Sequence, residues 1–303
     1  MTHSYDFATF HSRLHFRGEL VFSSAHRIGG ERSNDVVGPN LPILRSVTGD
    51  PYVPGSSFKG AWRSYTEAVL RALQGQDGII DRNLACQIVG KPRSRQQFTT
   101  PDDTCWTLDE VNALKEKWQQ DTVESEYDSF DAELTAGLCW SCRLFGSPWT
   151  AAKAMVRDLH LAGDVRWPTQ IRDGVAIDRD SGRAADGAKY QYEITPAGST
   201  FELEILIDNA TPAELGLAMI GLDGFMRGDI LLGGAKSRGL GWCKLTPDWR
   251  SSEYVGAENL LDFLLNPDSV DASVAANNEQ GPDIWRRAFM AALRETSGGE
   301  AHA

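Results

Sequence analysis

Arg13-Leu-His-Phe-Arg-Gly-Glu-Leu-Val-Phe22 sets apolar and polar side chains largely in alternation, the period of a strand with one face buried and the other wet. Working outward, Ser23 to Asn40 is glycine-rich, polar and aperiodic, and reads as a loop. Leu41-Pro-Ile-Leu-Arg45 and Tyr52-Val-Pro54 bracket a turn at Gly49-Asp50. From Phe58 to Leu73 apolar residues recur at helical spacing, with Ser56 or Ser57 as the expected N-cap after a tight turn. Residues 75–135 are polar and weakly periodic, with one helix predicted from Leu108 to Gln119, and read as an insertion reaching to about 140. Strand patterning resumes at Arg143–Ser147 and Ala154–Leu161. A polar excursion rich in Arg, Asp and Gly then runs from Thr169 to Tyr190. Tyr190–Ile194 and Thr200–Ile207 read as strands, Ala213–Phe225 as an apolar-faced helix, and Trp242–Leu245 as a short closing strand. Residues 1–250 are thus one domain, followed at 251–303 by an acidic linker and an amphipathic helix from Asp283 to Glu295. Interleaved strands and helices of this kind predict an α+β sandwich of the ferredoxin-like type.

A chain of 303 residues, 41% of them hydrophobic, can bury one large core or two modest ones. No window holds the roughly eighteen uninterrupted apolar residues of a membrane span, and the opening residues lack the basic and apolar regions of a signal peptide. The expectation is a cytoplasmic protein without a membrane partner. The net charge of −12 lowers the prior for a polyanion ligand. The acids, however, concentrate in Asp121–Glu133 and Glu253–Glu279, while basic residues recur singly elsewhere, so a basic stripe remains compatible with the sum.

Three motifs carry chemistry. Gly233-Gly-Ala-Lys-Ser-Arg-Gly-Leu-Gly241 spaces glycines so that backbone N–H groups can approach an anion, with Lys236 and Arg238 adding charge and Ser237 a hydroxyl. A bare glycine-rich turn is the alternative, and the stretch fits neither the Walker nor the dinucleotide-binding context. Pro54-Gly-Ser-Ser-Phe-Lys-Gly60 opens a helix whose N-terminus offers free N–H donors, with Lys59 and Arg63 one turn apart. An ordinary capped helix reads equally well. Cys139-Trp-Ser-Cys142 has the spacing that lets two thiolates reach one tetrahedral zinc, and Cys86 and Cys105 lie upstream in an insertion too polar to fold alone. A redox pair or buried free thiols are the other readings, and Cys243 falls in a predicted core strand.

Taken in order, Pro54–Gly60, Cys142-Arg-Leu-Phe-Gly-Ser147 and Gly233–Gly241 resemble the RAMP superfamily of CRISPR proteins, nearest the repeated backbone subunit of type III effector complexes. Arg172–Lys189 followed by Tyr190 and Pro196-Ala-Gly198 is similar to the type III-D branch, and the likeness runs from about Leu14 to Leu245. The resemblance implies an RRM-like core and a guide-RNA groove touched by Lys59, Arg63, Lys236, Ser237 and Arg238. Arg143 and Arg157 are further basic candidates. It also implies a thumb hairpin over 169–190, where Arg172 and Ile177 would meet the guide–target RNA duplex and Ile171, Val175 and Ile177 supply apolar wedges. Copies of the chain would stack along the guide beside other effector subunits. Type III-D relatives carry a zinc-bound insertion, which points to Cys86, Cys105, Cys139 and Cys142 as a structural site.

In the cleaving members of that family a carboxylate in the loop after the first strand promotes attack by the target's own 2′-hydroxyl. Here Asn40 stands at that position, and an amide neither takes a proton at neutral pH nor supplies the charge that magnesium or another divalent ion prefers. Asp35 is the nearest carboxylate and the sole catalytic candidate. The expectation is a chain that holds RNA, with metal-dependent cleavage as the alternative.

Overall fold

The structure is a computed structural model that describes residues 7, 9–30, 40–73, 84–86, 105–119, 126–163, 168–266, 272–275 and 280–295. Its centre is β1, Ser12–Phe22. Antiparallel to it along its length runs β5, Thr200–Asp208, from Arg13↔Asp208 to Val21↔Thr200. On the other side β6, Cys243–Pro247, covers the C-terminal half of β1, and β7, Glu253–Gly256, its N-terminal half. The short β2, Ala154–Val156, pairs with β5 to give the order β2-β5-β1-β6, with every pairing antiparallel.

The alternation in β1 decides which side becomes core. Leu14, Phe16, Leu20 and Phe22 are fully buried, as are Phe201, Leu203, Ile205 and Ile207 on β5. Against that face lie α1, Gly55–Leu73, and α5, Pro212–Arg227, with Phe58 stacked on Phe225 at 4.3 Å between ring centroids. Gly221 and Gly224 let them meet closely, because a Cβ at Gly221 would stand 2.2 Å from the Thr66 hydroxyl oxygen. Beyond α5 lies α7, Pro282–Glu295, which buries Trp285, Phe289 and Leu293 in the same core. A capping box of Thr211 and Glu214 starts α5, and Glu214 also takes the buried Lys153 ammonium at 2.7 Å, tying α5 to the residue before β2. The C-terminal segment therefore contributes both a sheet strand and a core helix.

The sheet's other face stays polar. Arg13 pairs with Asp208 at 2.7 Å, Arg157 with Glu204 at 2.9 Å, and His15 stands 3.6 Å from Glu204. Burial is the main cause holding the His15 imidazole below its usual range, with the Arg17 charge second.

Two local expectations are corrected. Arg143–Ser147 is not strand: α4, Trp140–Phe145, forms there because Cys139 Sγ accepts the Cys142 amide as an N-cap and Gly146, at φ +87°, stops the helix. Ser56 and Ser57 are not the cap of α1 but lie inside its first turn. The Pro54 carbonyl accepts from Ser57 and Phe58, and the Asp158 carboxylate takes the Gly55 amide at 2.8 Å. The predicted helix at 108–119 is present as α2, Leu108–Gln119, followed by α3, Glu126–Ala136.

The polar excursion is a separate two-stranded sheet, β3, Gln170–Ile177, with β4, Ala184–Ile194. Its root is tied down by the segment after β1. Leu41 bridges Tyr192, and the buried Glu193 carboxylate accepts from the Ile43 amide at 3.1 Å, the Thr169 hydroxyl at 2.6 Å and Arg45. Burial pushes the Glu193 carboxyl up, but the Thr169, Ile43 and Arg45 donors outweigh it and hold the group below its ordinary range. A depressed folded value contributes stability above the unfolded value of about 4.3 and loses it as pH falls through the folded one. Glu193→Gln should therefore cost about 1–2 kcal/mol in urea unfolding at pH 7. The difference from wild type should shrink on acidification below pH ~4, where the wild-type carboxylate is itself neutralised.

Candidate nucleic-acid interface and metal centre

The glycine loop stands at the end of β1 where the chain leaves the sheet. Gly234 donates to the Arg27 carbonyl at 2.8 Å and Gly241 to the Ala25 carbonyl at 2.9 Å, which staples the loop to the segment after β1. Gly233 and Gly241 have φ of +94° and +87°, and a Cβ there would press on the Arg27 and Leu232 carbonyl oxygens at 2.5 and 2.3 Å. These two glycines serve the loop's own approach to the body. The middle is more open: nothing lies within 4 Å of a Cβ on Gly239, and Gly234 is nearly as free. Ala235 is held left-handed at φ 56°, a conformation a non-glycine residue adopts at a cost of order 1 kcal/mol. Among the described residues none accepts the amides of Ala235, Lys236 or Ser237, and the Lys236, Ser237 and Arg238 side chains are exposed.

This loop and the hairpin form one unit. Arg238 hydrogen-bonds the Tyr190 hydroxyl, and its guanidinium lies 5.7 Å from that ring's centroid. Leu240 and Ala235 pack with Ala25, Tyr192 and Ile194. Along the arm Ile171, Val175 and Ile177 are 56%, 48% and 65% exposed, and Arg172 is exposed among them. Trp242, half-exposed where the loop ends, offers a further aromatic surface. Arg27 escaped the sequence reading, and Tyr190 and Trp242 were read there without a contact role; the folded contacts of Gly234 and Arg238 bring Arg27 and Tyr190 to the loop.

Other predicted cations are engaged elsewhere. Lys59 donates to the Ala154 carbonyl at 2.7 Å, and Arg63 to Glu67 at 2.8 Å and to the Gly146 carbonyl at 2.9 Å. In place of a free phosphate-binding face, these two fasten α1 to β2 and α4. The α1 N-terminus already holds Asp158, so its dipole end is satisfied by the protein's own carboxylate. Arg143 donates to the Leu138 carbonyl at 3.0 Å and lies over Trp140. Arg157 is paired with Glu204 on the open sheet face. The three motifs read from the sequence do not come together on one edge of the sheet. Gly55 packs on the Val156 and Arg157 carbonyls and Gly146 on Ala152, beside β2, whereas the glycine loop precedes β6 on the opposite edge. Asn40 is exposed beside β4, its Oδ1 accepting the Gln191 amide at 3.2 Å, while Asp35 lies outside the described residues.

The cysteines do converge. The sulfurs of Cys86, Cys105, Cys139 and Cys142 all lie within 4.8 Å of one another. Four thiolates around zinc, at about 2.3 Å each, stand about 3.8 Å apart, so the spacing fits a tetrahedral centre. Backbone amides already point at the sulfurs, from Cys86 and Cys142 to Cys139 at 3.4 Å and from Cys139 to Cys105 at 3.1 Å. Hydrogen bonds among the four thiols push Cys139 and Cys86 down and Cys105 and Cys142 up, so the groups titrate as one coupled set. Arg63 reaches Cys142 Sγ at 3.6 Å and Arg71 the Cys86 carbonyl at 2.9 Å, so α1 supports the site from outside. Cys243 is apart and buried; desolvation raises its thiol to about 12.

A mixed α+β chain with antiparallel sheets, a cysteine cluster able to hold a metal and a basic loop joined to a hairpin is the class these features define. Residues 7–244 match the RAMP superfamily, and the chain belongs to it. That superfamily is generally CRISPR-associated. A search of curated proteins finds no match. No helix of the described residues is long and apolar enough to cross a membrane.

Among the described residues Leu138 and Trp106 are the apolar groups packed with the cysteines, and Trp106 also joins the neighbouring cluster of Val111, Leu114 and Leu134. Cys139→Ser should therefore abolish stoichiometric zinc, measured by atomic absorption on the purified protein, and accelerate amide exchange in residues 105–119 and 126–142. Zinc retained at full occupancy would remove the four-thiolate assignment.

Proposed function

We propose that this chain is an RNA-binding backbone subunit of a type III CRISPR effector complex, most like the type III-D branch. It holds guide RNA and organises the guide–target duplex. The observation that carries the reading is the joined loop and hairpin. Lys236, Ser237 and their amides face solvent at the foot of an arm whose exposed Ile171, Val175 and Ile177 can wedge between stacked bases. A ribose-phosphate strand lying across the loop would meet cations and N–H donors together, and Trp242 could stack a base.

The strand order β2-β5-β1-β6, with α1 after β1 and α5 after β5, supports an RRM-like, ferredoxin-like core. The sheet face that such folds use for stacking bases is closed to that use here, because it carries Arg–Asp and Arg–Glu pairs in place of aromatics. RNA is accordingly assigned to the end of β1 and to the arm, which reads as the thumb. Zinc fits the four thiolates as a structural ion, since four protein ligands leave no open position. Target RNA, further copies of this chain and other effector subunits are the partners.

Asn40 supports a holding role. Its amide oxygen is neutral and already accepts from Gln191, so it contributes no general base and little to a divalent ion. An aspartate at this place would receive the same amide and stay ionised. Asn40→Asp is therefore expected to gain magnesium-dependent cleavage of a complementary target, read on a denaturing gel; no cutting would remove Asn40 from the catalytic position. Lys236→Ala combined with Arg238→Ala should weaken guide-RNA binding by about 10–100-fold and reduce the log–log salt slope by about 1.4. Unchanged affinity and slope would overturn the loop as the RNA contact.

A further inference from the structure

Arg27 is the odd cation of this molecule. It lies immediately after the buried His26, which stacks on Phe22 at 3.6 Å between ring centroids. Its carbonyl anchors Gly234, and its guanidinium sits between two glycine-bearing segments. A Cβ added to Gly29 would stand 2.7 Å from Nη1, and one added to Gly234 would stand 3.6 Å from the same atom. Among the described residues no carboxylate pairs with it. Its one hydrogen bond among the described residues runs from Nη2 to the Pro42 carbonyl at 3.5 Å, and its Nε is buried without a partner. Desolvation lowers its pKa. By contrast Arg13, Arg45, Arg63, Arg71, Arg157, Arg227 and Arg286 each have a carboxylate.

A half-desolvated guanidinium with idle donors is costly unless something anionic completes it. The loop that starts from Gly234 beside it continues through Ala235, Lys236 and Ser237, whose amides no described residue accepts. The missing Cβ at Gly29 lets the guanidinium lie flat on the backbone there, and the side toward Gly234 is the looser one, with 3.6 Å between Nη1 and a Cβ added at that glycine.

We propose that Arg27 is a phosphate-binding residue, its guanidinium taking the non-bridging oxygens of one phosphodiester of an RNA strand that runs over the Gly234–Ser237 turn. This rests on the function proposed above and adds to it an anchor that lies beneath the loop. The two exposed cations attract the strand, and Arg27, rigid and poorly hydrated, fixes which phosphate sits there.

The test is RNA binding by the full chain, measured by fluorescence anisotropy with a labelled single-stranded RNA carrying the guide's repeat-derived 5′ end, over a range of salt. Arg27→Gln should weaken binding about tenfold and lower the log–log salt slope by about 0.7, the signature of one lost phosphate contact. Arg27→Lys should keep the slope and recover part of the affinity. Gly29→Ala is the control for folding. Its Cβ meets only the far end of the Arg27 side chain, so it should displace the guanidinium, leave the melting temperature unchanged and weaken binding in the same direction. Wild-type binding with Arg27→Gln and Gly29→Ala both unchanged in affinity and slope overturns this assignment while leaving the function above in place. Absence of wild-type binding overturns both. Displacement of the RNA by millimolar inorganic phosphate, at matched ionic strength, overturns the strand as the ligand.

Discussion

Leu14, Phe16, Leu20 and Phe22 must leave water together, and a strand's two-residue period puts them on one side of β1 while Arg13, His15, Arg17 and Glu19 take the other. At roughly 1.5–3 kcal/mol for each large apolar side chain, no surface ion pair competes with that preference. Everything else is placed relative to this strand. The helices α1 and α5 cover its apolar face, β5 and β6 flank it, and even β7, distant in sequence, finishes its edge.

Where β1 ends, the chain stops being core and starts being site. His26 is buried against Phe22 and Phe201, with its imidazole lowered by desolvation to about 3, so it is a neutral packing group. The residue after it turns outward, and its carbonyl receives the glycine loop. Glu193 clamps the hairpin to the same segment through Ile43 and Arg45. The loop, hairpin root and post-strand segment are thus held by three sets of hydrogen bonds on one rigid strand end, a suitable base for gripping a flexible polyanion. Net negative charge does not oppose this. Many of the basic residues away from the loop are paired internally, whereas Lys236 and Arg238 have no carboxylate partner among the described residues.

Much of the architecture was legible because it is written in periods: the alternation of Arg13–Phe22 and Thr200–Ile207, and the helical spacing in Phe58–Leu73, Ala213–Phe225 and Asp283–Glu295. Misreadings arose where a distant partner decides the outcome. Cys142-Arg-Leu-Phe is apolar enough for a strand, yet the Cys139 sulfur caps it into a helix, and no local pattern announces that. Ser56 and Ser57 look like caps, but Asp158, about a hundred residues away in the chain, supplies the carboxylate. The same holds for the site. The spacing of Cys139 and Cys142 announced one thiol pair, the family resemblance added Cys86 and Cys105, and glycine spacing announced the loop. The engagement of Lys59 with Ala154 and the seat of Arg27 between Gly29 and Gly234 are tertiary facts that composition and motif cannot express.

On the proposed function a nucleic-acid strand lies at the end of β1, across the glycine loop and hairpin root, and not on the open sheet face. Zero-length ultraviolet cross-linking of the purified ribonucleoprotein, with peptide mapping by mass spectrometry, tests this most directly. Cross-links are predicted at Tyr190, Trp242 and the peptide spanning Gly233–Gly241. Cross-links confined to β1 and β5, around His15, Glu202 and Leu206, would contradict it.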